Sequence, residues 1–76
     1  MYNMTQPQAE TVQNNSLGEN IRKLRVLNSF SQEYVAANLE MSQGNYARME
    51  NGDISINSKR LKQIAYVLGY SPEFLK

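Results

Sequence analysis

FSQEYVAANLEMSQGNYARMENG, residues 30–52, contains two short amphipathic segments separated by a polar break. Ser31 and Ser42 each stand where a helix N-cap is expected, since a short side-chain oxygen there can accept a free peptide N–H of the first turn. Each has an apolar residue just before it and another four residues after it: Phe30 with Val35, and Met41 with Tyr46. That spacing is a hydrophobic staple, which fixes the angle at which the chain enters a helix. The stretch therefore reads as two short helices joined by a tight turn. The second carries an unusually polar outer face.

The same arrangement recurs downstream, where Ile56-Asn57 pairs with Leu61 and Tyr70-Ser71 with Leu75. Taken together the pattern predicts helices over residues 32–39, 43–50 and 58–68, and a last one from Pro72 onward. Gly69 suits a left-handed position after the third of these, and Pro72 suits a first helical turn. Asn51-Gly52-Asp53 is a turn signal that stops the second. Upstream, Ser16 with Glu19 forms a capping box. Leu17, Ile21, Leu24 and Leu27 follow at helical spacing, and Asn28-Ser29 ends that helix. No segment alternates with period two for long enough to make a strand. The expected fold is all-α, five short helices around one core.

The helical periods nominate Leu17, Ile21, Leu24, Val35, Ala36, Leu39, Tyr46, Met49, Leu61, Ile64, Ala65 and Leu68 for that core. Ala36 is the informative member, because a small inward residue lets the next helix cross close by. Residues 1–15, rich in Gln, Asn and Thr and without a period, are expected as a disordered arm ahead of a domain at 16–76. The arm holds no Lys or Arg, the residues by which such arms usually enter a DNA minor groove.

Composition narrows the function. At 76 residues there is room for one domain only. Cysteine and histidine are both absent, which removes disulfides, ordinary zinc sites and the usual general base near neutral pH. Neither an enzyme nor a cofactor is expected. The longest apolar run, Ile64 to Leu68, is too short to span a bilayer. The N-terminus has neither the charged start nor the apolar segment of a signal peptide, so a cytoplasmic location is expected. The net charge is +1, with eight positive and six negative residues after position 16. That bias is mild, and short of a basic patch that would argue for nucleic acid by itself.

The ordered set IRKLR at 21–25, SQEYVA at 31–36, MSQGNYARMENG at 41–52 and LKQIAYVLG at 61–69 resembles the Cro/CI (XRE-type) family of phage-repressor-like helix-turn-helix domains. The resemblance covers Leu17 to Leu75. It implies a lambda-repressor-like domain whose third helix lies in the DNA major groove while the second crosses the backbone. It also implies a sequence-specific regulator of transcription, a repressor by analogy with the family. Gln43, Asn45 and Arg48 fall at base-reading positions, and amides and Arg pair bidentately with adenine and guanine edges. Taken singly, Gln43 and Asn45 would read first as solvated surface residues; their place at the start of the third helix is what favours base contact. Gln32 matches a family glutamine that touches phosphate and braces the first residue of the third helix. Ser42, Gly44 and Asn51 map onto backbone-positioning roles, and Arg25 with Glu50 onto an ion pair tying the first helix to the third.

Two departures from the family stand out. Glu40 occupies the turn position where relatives usually carry a left-handed Gly, and Gly44 replaces a residue that in relatives often reads a base. The family commonly binds inverted-repeat double-stranded DNA as dimers. Ile54, Ile56, Tyr70 and Phe74 offer a surface for a weak homodimer here. The competing expectation is an antitoxin-like or other interaction module whose main partner is a protein.

Overall fold

The structure, a computed structural model, describes residues 16–76 and the side chains from Leu17 onward. The arm expected over 1–15 and the cap assigned to the Ser16 side chain lie outside the described residues. The described chain forms five helices: α1 (Ser16–Leu27), α2 (Gln32–Asn38), α3 (Gln43–Asn51), α4 (Ser58–Leu68) and α5 (Pro72–Leu75). No strand occurs among the described residues.

The starts of α2, α3, α4 and α5 are each set by the cap the sequence nominated. Ser31 accepts from the Tyr34 N–H, Ser42 from Asn45, Asn57 from Arg60 and Ser71 from Phe74. The apolar partners ahead of these caps, Phe30, Met41, Ile56 and Tyr70, all pack against the core. Helix ends follow one rule as well. Gly52 and Gly69 adopt left-handed φ of 86° and 87°, and Ser29 and Glu40 do the same at 61° and 58° without being glycine. In each case the next residue's N–H returns to a carbonyl five back: Phe30 to Arg25, Met41 to Ala36, Asp53 to Arg48 and Tyr70 to Ala65. This closes the last turn and satisfies carbonyls that the helix leaves open. The turn at Glu40 thus keeps the family's left-handed shape and carries the strain of a Cβ in that region.

The core comprises Ile21, Leu24, Val35, Ala36, Leu39, Tyr46, Met49, Leu61, Ile64, Ala65, Leu68 and Leu75, all buried. Leu75 was nominated only as a staple partner, yet it is completely buried. Leu17 sits at the edge, half-buried against the cluster.

Leu27 does not belong to the inward face of α1; it is 74% exposed. At about 100° per residue, Leu27 lies roughly 120° from Ile21, at the centre of the buried stripe. Gly18 and Arg25 lie within about 60° of that centre and face α3 instead. A Cβ on Gly18 would sit 2.8 Å from the Met49 carbonyl oxygen and closer still to that of Glu50, so the missing side chain is what lets α1 cross α3. Two asparagines, one in α1 and one just past its end, stitch this part of the chain to the C-terminal half. Asn20 Nδ2 donates to the Leu75 carbonyl and Asn28 Nδ2 to the Leu68 carbonyl, both at 2.9 Å.

Candidate nucleic-acid interface

Tyr46, Met49 and Glu50 hold the inner side of α3, all buried. The outer side consists of Gln43, Gly44, Asn45, Arg48 and Asn51, all exposed, with Ala47 half-buried between them. Projected down the helix, Gln43 and Asn45 stand at opposite edges of this arc, about 200° apart, with Gly44 midway and Arg48 and Asn51 close to it. A Cβ on Gly44 would meet nothing within 4 Å, so the bare backbone at the centre of the face is not demanded by packing. Among the described residues the Arg48 guanidinium makes no hydrogen bond or ion pair within the protein. The one acidic residue of α3 is Glu50, and it points inward. The polar side chains of the outer face are therefore amides and a cation only.

Glu50 anchors a polar chain that runs from the core to this face. Its side chain is 1% exposed and receives the Arg25 guanidinium through two bonds, Nε to Oε2 at 2.6 Å and Nη2 to Oε1 at 3.2 Å. Arg25 spends a third donor on the Phe30 carbonyl at 2.9 Å, tying the α1–α2 turn to the same group. Gln32 Nε2 donates to Glu50 Oε1 at 3.1 Å, and Gln43 Nε2 donates to Gln32 Oε1 at 3.2 Å. Arg25 and Glu50 are thus in direct contact, and Gln32 bridges Glu50 to Gln43.

The electrostatics of this cluster follow from burial and pairing. Burial by itself pushes the Glu50 carboxyl up, but Arg25 above all, with the neighbouring Tyr46 hydroxyl and Gln32, outweighs it and holds the group below its ordinary range. The hydrogen bond from Glu50 raises Arg25 in turn, so both partners stay charged. The Tyr46 hydroxyl lies buried without a well-formed hydrogen bond. Burial first, and the neighbouring Glu50 charge second, raise it above the ordinary phenol range.

A polar-faced helix, capped by Ser42 and crossing a shorter helix through a left-handed turn at Glu40, is the arrangement the sequence resemblance implied. The chain matches the helix-turn-helix family over residues 21–75, most of its length. The chain belongs to the Cro/CI-like (XRE-type) helix-turn-helix family. No curated protein and no solved structure matches it. As a helix-turn-helix domain of this type it is a DNA-binding domain of the transcription-regulator class. No helix among its described residues is long and apolar enough to cross a membrane.

In this helix-turn-helix pair, two features escaped the sequence reading. One is the bond between Gln32 and Glu50, which joins residues 18 apart and has no local signature. The other is the bracing of the turn after α2 by Arg60, whose Nη1 donates to the Leu39 carbonyl at 3.3 Å. An Arg three residues after a predicted N-cap gives no hint of which carbonyl it will reach.

Proposed function

We propose that this chain is a sequence-specific transcriptional regulator, acting as a repressor, that reads double-stranded DNA in the major groove with α3. The observation that carries the reading is the outer face of α3: amides, one cation unpaired among the described residues, no exposed acid, and a glycine at its centre. Gly44 lets the helix axis approach the base edges closely. Gln43 and Arg48 on either side then reach adenine and guanine edges, each good bidentate pair being worth about 1–3 kcal/mol of discrimination. Asn45, at the edge of the face beside Met41 and Ile54, reads bases with the shortest reach.

Gln32, Ser42, Gly44 and Asn51 position the phosphate backbone, through side chains and through the open N–H groups at the start of α3. The chain binds an inverted repeat as a weak homodimer, one α3 per half-site about one DNA turn apart. Ile54, Ile56 and Tyr70 are half-buried against their own core, so Phe74, exposed and stacked on Tyr70 at 5.1 Å, offers the larger free ring for the dimer contact.

Selection on a random duplex library, followed by titration of the winner at several salt concentrations, tests this. The expected result is an inverted repeat bound on the order of a thousandfold tighter than random DNA, with Gln43→Ala relaxing one position per half-site. Weak, steeply salt-dependent binding with no enriched site would mean that only phosphate is being sensed, and would sink the proposal. The competing reading, an antitoxin-like chain whose main partner is a protein, has one observation in its favour: Val26 and Leu27 of α1 are both well exposed. It predicts co-elution with a neighbouring gene product in gel filtration.

A further inference from the structure

Resting on the proposed reading of α3, we infer that Glu50 is a positioning residue for base selection as well as half of an ion pair. Through Gln32 it fixes which end of the Gln43 amide is presented to DNA. The argument is one of donor and acceptor polarity along three side chains.

An ionised carboxylate can only accept hydrogen bonds, and a guanidinium can only donate them. Arg25 occupies both oxygens of Glu50, and the remaining capacity of Oε1 is what Gln32 meets. Gln32 must therefore turn its NH2 group inward, because the flipped amide would set its oxygen against the carboxylate. Its own oxygen then faces Gln43, which must in turn answer with Nε2, as it does at 3.2 Å. Orientation passes outward from a side chain that is 1% exposed to one on the exposed face of α3. The Gln43 amide reaches the surface with one N–H spent, one N–H free and both lone pairs of Oε1 free.

That pattern distinguishes the purines. Adenine shows an acceptor at N7 and a donor at N6 in the major groove, and the locked amide meets both with its free N–H and its oxygen. Guanine shows two acceptors, N7 and O6. A freely turning glutamine can offer guanine both of its N–H groups. The locked one has given one of them to Gln32 and sets its oxygen against a guanine acceptor. Glu50 thereby converts a side chain that tolerates either purine into one that selects adenine.

The test compares the ratio of affinities for adenine and guanine at the half-site position that Gln43→Ala relaxes, using the full chain and the selected duplex. Two variants break the relay in different places. Gln32→Met removes the bridge and leaves the ion pair intact. Arg25→Met combined with Glu50→Leu removes the anchor but keeps Gln32 and Gln43, and leaves no unpaired buried charge. Wild type is expected to prefer adenine by roughly tenfold or more, and both variants by about threefold or less. A lost phosphate contact at Gln32 lowers affinity for every sequence alike and leaves the ratio in place, so a ratio unchanged in the variants overturns the inference. If the double variant shows no cooperative melt, Gln32→Met alone decides. A wild type that selects no site at all defeats the DNA-reading proposal and the relay with it. A wild type that selects adenine through Gln43, with variants that still select it, defeats the relay alone.

Discussion

Gly18→Ala tests the packing of α1 on α3 most directly. The added Cβ would lie 2.8 Å from the Met49 carbonyl oxygen and 3.0 Å from the Glu50 carbonyl carbon, nearer still to the Glu50 oxygen. All three are backbone atoms in the last turn of α3, so no side chain can swing aside and the helices must separate. Overpacking of this kind costs about 1–3 kcal/mol, and rigid backbone neighbours place it in the upper half of that range. Replacing glycine by alanine in a helix returns about 0.5–1 kcal/mol. The net expectation is a loss of about 1–2.5 kcal/mol, or roughly 4–20 °C in Tm for a domain of this size. Gly44→Ala supplies the control, because its Cβ meets nothing within 4 Å. It should be neutral or about 0.5 kcal/mol more stable. Urea and thermal unfolding followed by circular dichroism measure both. Equal stabilities for the two variants would refute the close-crossing argument.

The same control variant should bind DNA more weakly than wild type in spite of its sound fold, since its methyl group stands at the centre of the face proposed to meet the bases; titration against the selected duplex measures this. Glu50→Gln leaves Arg25 without its charged partner and should lower unfolding free energy by about 3–5 kcal/mol in urea titrations. The Glu50 carboxyl is held below its ordinary value of 4.5, so its contribution is complete above that pH and is lost as pH falls through the lower folded value. The stability gap between wild type and Glu50→Gln should accordingly be flat near neutrality and shrink below about pH 4.5, which unfolding curves at stepped pH will follow. Glu40→Gly relieves a left-handed φ of 58° and should stabilise by about 0.5–1 kcal/mol in the same melts.

Helix starts were legible because their causes are local. Ser31, Ser42, Asn57 and Ser71 each cap a helix whose first apolar anchor lies within five residues. Of the left-handed stops, Gly52, Gly69 and Glu40 could be read from residue type or family position. Ser29 could not, since serine carries no preference for that region and only the six-residue closure from Phe30 to Arg25 shows it. The inward stripe of α1 was misjudged at Leu27 because hydrophobicity was read without regard to where the stripe was centred. A glycine and an arginine, both poor core signals, hold the side that faces α3. For the interface, the exposed residues of α3 followed from helical period. The brace from Gln32 to Gln43 was implied by the family resemblance, whereas the bond from Gln32 back to Glu50 crosses from α2 to α3, and spacing carries no trace of it.

The left-handed stops also bear on how the chain finds its fold. Each boundary from α1 to α5 is closed by bonds spanning six residues or fewer, so a boundary can form before any distant segment arrives. Contacts of short sequence separation cost little loop entropy, and helical domains built from them fold in microseconds to milliseconds. What remains for the search is the docking of α1, which seats on α3 at Gly18 with Arg25 reaching Glu50 and is tied to the C-terminal half through Asn20 and Asn28. The rate of folding should thus be governed by these inward contacts, while the residues facing outward from α3 leave it untouched. Binding preference can drift in such a chain at positions that the folding nucleus never sees.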